Sequence, residues 1–246
     1  PWYRSIVAYI AYVVLMALFI WGIVVLNTRR LIAEKERLEQ IVRERTAEVV
    51  AQKEEIEHQR DKIFEQNEEI KSSISYASRI QGAILTPVET INTIFDDYFI
   101  LFLPRDIVSG DFYWLTQVGN RKICAIADCT GHGVPGGFMS MLGMGYLTQI
   151  VSKDHNLTAS QILDQLRAMI ITSLHQTGKI GESKDGMDIA LYIIDTATGM
   201  LEFAGANNPL VLIRDNEVIQ VKGDKMPIGI HMRSDVPFTN NVMEYK

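Results

Sequence analysis

Two acids close the ends of a short alternating run. Asp111-Phe-Tyr-Trp-Leu-Thr-Gln-Val118 is followed by Gly119-Asn120 and then by Arg121-Lys-Ile-Cys-Ala-Ile-Ala-Asp128. Gly-Asn between two apolar runs is a two-residue hairpin signal. With Val118 paired to Arg121, Asp111 falls directly opposite Asp128 on the same face, and their Cβ atoms are roughly 4.5–5.5 Å apart. Like charges at that spacing repel. The same ladder sets Tyr113 against Ile126 and Leu115 against Cys124 on the acids' face, and Phe112 against Ala127 and Trp114 against Ala125 on the other. Both faces read as buried, and opposed carboxylates at the end of a buried ladder require a compensating positive charge. A divalent cation held by hard oxygen ligands meets that requirement. Frayed strand ends that leave both acids in solvent are the alternative.

The segment after Asp128 favours the metal. Cys129-Thr-Gly-His-Gly-Val-Pro-Gly-Gly137 reads as a glycine-rich turn leading into a helix. Its glycines permit positive φ and close backbone approach, and a helix start attracts anions. A metal site beside such a turn points to phosphate chemistry. The order of a nucleotide P-loop is not met. Cys129 with His132 reads poorly as a nucleophile and its base, because no third group is evident to orient the histidine.

These residues need a scaffold, and the chain before them is of another kind. Ile6–Leu26 carries no charge over 21 residues, long enough at about 1.5 Å per residue to cross a bilayer core. Trp2, Tyr3 and Trp21 stand where interfacial aromatics sit, and Arg29, Arg30 and Lys35 follow the span against Arg4 before it. That bias places everything after residue 30 in the cytoplasm, behind a single-pass anchor in the cytoplasmic membrane. From Leu31 to Leu85 there is no Pro and one Gly, and Val42, Val49, Ile56, Ile63 and Ile70 recur every seventh residue. The other seam column turns polar after Leu38, with Arg45, Gln52, Gln59 and Gln66. A β-branched column with a polar partner column predicts a parallel dimeric coiled coil of modest stability, a homodimer contact. His58 on this helix reads as a solvated surface residue.

Beyond Thr86-Pro87 the pattern is of short strands: Phe99–Leu103, Asp111–Val118, Arg121–Asp128, Asp188–Asp195, Met200–Gly205, Leu210–Arg214 and Glu217–Val221. Two helices are predicted among them, Gly137–Val151 and Ser160–Gln176, the second capped by Thr158 or Ser160. Strands linked mostly as hairpins beside two helices make an α+β class. The expected organisation is a membrane segment over 1–30, a coiled-coil linker over 31–86 and a folded domain over 87–246. The formal net charge of −6 leaves no electrostatic footprint for nucleic acid. Two cysteines, Cys124 and Cys129, form neither a disulfide framework nor a thiolate zinc site.

The chain resembles the SpoIIE-type branch of the metal-dependent (PPM) serine/threonine phosphatases. The matching blocks are Tyr76-Ala-Ser-Arg-Ile-Gln-Gly-Ala-Ile-Leu85, Pro104-Arg-Asp-Ile-Val-Ser-Gly-Asp-Phe-Tyr-Trp114, Ala127-Asp-Cys-Thr-Gly-His-Gly-Val-Pro-Gly136, Gly186-Met-Asp-Ile-Ala190 and Lys225-Met-Pro-Ile-Gly229. The resemblance implies a β-sandwich flanked by helices that holds two Mn²⁺ or Mg²⁺ ions. It implies Asp111 as a metal ligand, Asp128 bridging both ions, the Cys129 backbone carbonyl as a further ligand, Asp188 near the metals, and Asn207 and Asn208 on the substrate side. It also implies hydrolysis of phosphoserine or phosphothreonine by a water activated between the ions, on a partner such as a phosphorylated anti-anti-sigma-type regulator. The family's later Asp-Gly and Asp-Asp blocks do not occur before Lys246. The expectation is therefore an incomplete metal shell and a weakly active or inactive chain, with Asn240–Lys246 as a strand. A non-catalytic dimeric membrane module with a phosphatase-like binding domain is the other reading.

Overall fold

The structure, a computed structural model, describes residues 5–179, 181–182 and 184–245. Trp2, Tyr3 and Arg4, assigned from sequence to the outer flank of the span, lie outside these residues, as do Pro1 and Lys246. The chain divides into two compact units, Pro1–Glu68 and Glu69–Lys246.

Residues 6–68 of the first unit belong to helix α1 (Ile6–Ile84, 79 residues). Its N-terminal segment is long and apolar enough to cross a membrane, by length and composition. In the charged stretch beyond, Lys35–Glu39 at 3.6 Å and Lys53–Glu57 at 3.8 Å are i,i+4 pairs on the helix surface. Such pairs add a few tenths of a kcal/mol each, roughly 0.3–0.5. The seven-residue column is uncovered: Val42, Val49, Ile56 and Ile63 are between 57% and 65% exposed.

The second unit is α+β. After the last turns of α1 come α2 (Val88–Ile94), β1 (Phe112–Val118), β2 (Arg121–Cys129), α3 (Gly133–Lys153), α4 (Ala159–Ser173), β3 (Met187–Asp195), β4 (Met200–Ala206), β5 (Leu210–Arg214), β6 (Glu217–Val221) and β7 (Asn241–Glu244). Five strands form an antiparallel sheet in the order β1-β2-β3-β4-β7, and β5 pairs with β6 apart from it. Chain reversal is local at three hairpins. Gly119 takes φ +58° between β1 and β2, Gly199 takes φ +71° before β4, and Asp215 and Asn216 take φ +52° and +62° between β5 and β6.

Side chains alternate across the sheet, so one face of it carries Phe112, Trp114, Ala125, Ala127, Ile189, Leu191, Ala204 and Ala206. These pack with Leu147, Ile150, Leu163, Leu166 and Ile170 of α3 and α4 into one core. α4 opens with a capping box in which Thr158 and Gln161 satisfy each other's backbone N–H groups. α3 begins four residues earlier than expected, at Gly133. Pro135 falls in its first turn, where a missing N–H costs nothing.

Two expectations are corrected, and a third element is added. Phe99–Leu103 is not a strand. Among the described residues no strand pairs with it, and Phe99, Leu101 and Leu103 are between 78% and 90% exposed. An apolar run with high strand propensity still needs a hydrogen-bonded neighbour to become one. Second, the sheet face opposite the helices is not fully buried: Ile126 is 53% exposed, and Tyr113 and Leu115 are half-buried. Third, α2 is a helix that the sequence pattern does not announce. Seven residues offer too little period to detect, and the helix is held by burial of Ile91 and Ile94.

Candidate active site

The β1–β2 ladder runs from Phe112↔Ala127 to Val118↔Arg121, the register that the Gly119-Asn120 turn predicts, and it brings Asp111 opposite Asp128. On its other side Asp128 pairs with Asp188 of β3. The β3–β4 ladder ends at Ile189↔Ala206, so Asn207 comes next to Asp188, and the Asn207 amide nitrogen donates to Asp188 Oδ1 at 2.8 Å. Asp111, Asp128, Asp188 and Asn207 thus form a row across four neighbouring strands, on the face away from the helices. Asn207 makes this turn in the left-handed region, φ +58°, and the Asn208 N–H donates to Ala206 O at 2.7 Å.

Backbone packing fixes the row. A Cβ on Gly110 would stand 2.9 Å from Gly131 O and 3.3 Å from Cys129 O, and one on Gly136 would stand 2.7 Å from Gly131 O. The loop before β1, the turn after β2 and the start of α3 therefore approach through three glycines. Thr130 Oγ1 donates to Asp185 Oδ1 at 3.1 Å, and the Thr130 N–H donates to Gly186 O at 3.0 Å. A Cβ on Gly186 would lie 2.3 Å from Ile228 O, and Met187 bridges to Ile228. The Gly-Met-Asp and Met-Pro-Ile-Gly blocks thus meet, and together they set the start of β3 and with it Asp188.

Asp111 and Asp128 are both exposed, against the expectation of a buried pair. Even so, partial burial of Asp128 and the Asp111 carboxylate beside it push the Asp128 carboxyl up from the ordinary carboxylate range. A cavity of about 240 Å³ opens over the pair and is lined also by Arg105, Asp106, Ser109 and His132. His132 Nδ1 lies 2.9 Å from Asp106 Oδ2, so an orienting carboxylate exists that the sequence did not reveal. It does not make Cys129 a nucleophile. Burial pushes the Cys129 thiol far up, and Asp128 and Asp111 push it further, so it stays protonated. A second groove of about 560 Å³ starts at Asp111, Asp128 and Asn208 and runs over Tyr113, Leu115 and Ile126.

The donors fit a hard divalent cation. Two opposed carboxylates carry repulsion that such an ion relieves, the Cys129 carbonyl follows Asp128 in the chain and packs against Gly110 beside Asp111, and both cysteines are buried thiols that do not select a soft metal. Among the described residues, no three His, Cys, Asp or Glu side chains close around one point. Asp188 faces Asp128 across the ladder but is engaged by Asn207. Arg105 and Asp106 had no role assigned from sequence; they lie in the Pro104–Trp114 block, but only the folded loop turns them toward the acids.

The five-stranded antiparallel sheet layered by two helices, with acids in a row on its open face, supplies one sheet-and-helix layer of the sandwich that a PPM-type domain implies; the other strand pairing among the described residues is β5 with β6. A family model described as Stage II sporulation protein E (SpoIIE) matches residues 119–245. Among solved structures, the SiaA-PP2C domain of Pseudomonas aeruginosa is similar at 30% identity and a TM-score of 0.64, over 73% of this chain and 69% of that one. The PP2C phosphatase domain with a regulatory fragment of SpoIIE from Bacillus subtilis is similar at 20% identity and a TM-score of 0.47, over 56% of this chain and 38% of that one. RsbX in complex with magnesium is similar at 13% identity and a TM-score of 0.40, over 56% and 61%. No curated protein sequence matches the chain. The chain belongs to the SpoIIE family and carries its PP2C-type phosphatase domain.

Proposed function

We propose that this protein is a membrane-anchored signalling phosphatase that hydrolyses phosphoserine or phosphothreonine on a regulatory protein. The observation that carries the reading is the Asp111–Asp128 pair, facing across a ladder at a cavity that also holds a cation, Arg105, in a SpoIIE-family domain. Asp111, Asp128 and the Cys129 carbonyl would hold Mn²⁺ or Mg²⁺, with Asp188 as the neighbouring acid, in a site of two ions. When bound, such ions supply charge neutralisation at phosphoryl oxygens and lower the pKa of water. The chain's own part is placement. The opposed acids fix where positive charge collects, and Arg105 binds phosphoryl oxygens as a bidentate cation. His132 is oriented by Asp106 at the rim. Asn207 holds one oxygen of Asp188, and Asn208 lines the groove on the substrate side.

The apolar segment of α1 supports a bilayer anchor. Arg29, Arg30 and Lys35 after it support a cytoplasmic catalytic domain. The uncovered heptad column supports a homodimer through a parallel coiled coil. The family resemblance supports a small phosphorylated anti-anti-sigma-type protein as substrate.

The test is Mn²⁺ binding and Mn²⁺-dependent phosphate release from a phosphoserine protein, using the full chain in detergent. Asp128→Asn should reduce both binding and turnover more than about 100-fold, beyond the loss of a merely supporting partner. Undiminished metal-dependent release by Asp128→Asn would overturn the site. The lack of a third converging acid among the described residues favours a second reading, a phosphatase-like binding module. Specific capture of the phosphoprotein with no metal-dependent release would establish that one.

A further inference from the structure

Gln81, in the last turns of α1, is 5% exposed. Its Oε1 accepts from the Ser109 N–H at 3.0 Å, and its Nε2 donates to Ser109 O at 2.6 Å and to Ser140 Oγ of α3 at 2.7 Å. One side chain therefore satisfies both backbone groups of Ser109. The Ser109 hydroxyl in turn accepts from the Asp111 N–H at 3.0 Å. Between them stands Gly110, packed against Cys129 O and Gly131 O. Four residues past Asp111, Thr86 makes a similar double contact: its Oγ1 accepts from the Leu115 N–H at 2.9 Å and donates to Leu115 O at 3.2 Å. The backbone on both sides of Asp111 is thus held by polar side chains from the segment that ends α1.

Buried amides that satisfy both atoms fix a single geometry, because any shift leaves a polar group unpaired. Resting on the metal-site reading proposed for Asp111 and Asp128, we infer that Gln81 is a positioning residue for Asp111. It sets the Ser109–Asp111 backbone so that the Asp111 carboxylate faces Asp128 at the spacing a shared cation needs. Gln81 touches neither acid and acts through Ser109.

The probe is Mn²⁺ itself, titrated into the full chain in detergent and followed by electron paramagnetic resonance, with amide hydrogen exchange on the same samples. Gln81→Leu keeps the volume and loses every bond. It should bind Mn²⁺ about tenfold more weakly, the loss typical of a partner that orients a ligand. Its Ser109, Gly110 and Asp111 amides should exchange faster, with β3 and β4 unchanged. Gln81→Glu keeps the acceptor for the Ser109 N–H and should fall between, a result that holds the question open to test if the leucine variant does not fold. Ser140→Ala removes a hydroxyl that accepts from Gln81 Nε2 and also donates to Ser109 O at 3.2 Å, while both Gln81 bonds to Ser109 stay, so it should lose clearly less than Gln81→Leu in both readouts. Wild-type Mn²⁺ affinity in Gln81→Leu or Gln81→Glu, with binding lost in Asp111→Asn, would overturn this assignment and leave the metal site standing. A Ser140→Ala loss as large as that of Gln81→Leu would overturn it too, because the effect would then run through α3. No Mn²⁺ binding by the wild type would sink the metal-site reading and this one with it.

Discussion

Two carboxylates facing each other across a ladder are a local cost to the metal-free fold. Asp128 is held above the ordinary carboxylate range by burial and by Asp111. A raised folded-state pKa gives a contribution that is fully present below the unfolded value, about 3.9, and lost as pH rises through the folded value. At neutral pH the metal-free protein therefore bears the whole repulsion. Asp128→Asn should unfold at a higher temperature than the wild type at pH 7 in chelator, with the gap closing toward pH 4. Calorimetry at both values checks this, and a lower melting temperature at pH 7 would mean the acids do not repel. Arg105 carries the opposite charge into the same cavity. Arg105→Ala should raise KM for the phosphoprotein roughly tenfold, about 1.4 kcal/mol, the scale of a charge-assisted hydrogen bond. An unchanged KM would remove it from the substrate side. Cys129 and Cys124 are legible only in part. Spacing excludes a disulfide framework, but the inertness of the thiols comes from burial, which pushes Cys124 up to about 11.

At the scale of elements, the hairpins were readable because turn chemistry is local. Gly119-Asn120 sets the register of β1 and β2, and that register sets Asp111 against Asp128. The stripe of Ile162, Leu166 and Ile170 likewise marks α4, and all three are fully buried or nearly so. Leu166→Ala should cost about 2–5 kcal/mol, read as a lower denaturation midpoint of the second unit. A loss under about 1 kcal/mol would mean the α4–sheet core can collapse around the gap. Phe99–Leu103 shows the limit of such reading. Its propensity is intrinsic, but strand pairing depends on a neighbour that local sequence does not specify. Gly136 shows another: its requirement arises from Gly131 and Gly110, one nearby in sequence and one distant.

For the molecule as a whole, the heptad column is the feature with the largest consequence. Ile56 and Ile63 are 65% and 57% exposed on the single chain, at positions where a partner helix would cover them. The double variant Ile56→Asp, Ile63→Asp should convert a dimer to a monomer in detergent, measured by light scattering with the detergent mass subtracted. A wild-type chain that is already monomeric, or a variant that stays dimeric, would reject the parallel seam.

Composition and spacing alone determined the long apolar segment, the seven-residue apolar column, the α+β class and the pairing of Asp111 with Asp128. Each arises from interactions within a few residues or across one tight turn. Tertiary structure decided that Asp188 and Asn207, which the resemblance sets near the metals and on the substrate side, join one row through a hydrogen bond, that Arg105 and the Asp106–His132 pair share its cavity, and that Gln81 holds the backbone before Asp111. These contacts join residues 19 to 60 positions apart, and their geometry depends on strand order and on loops that meet only once the sheet has formed.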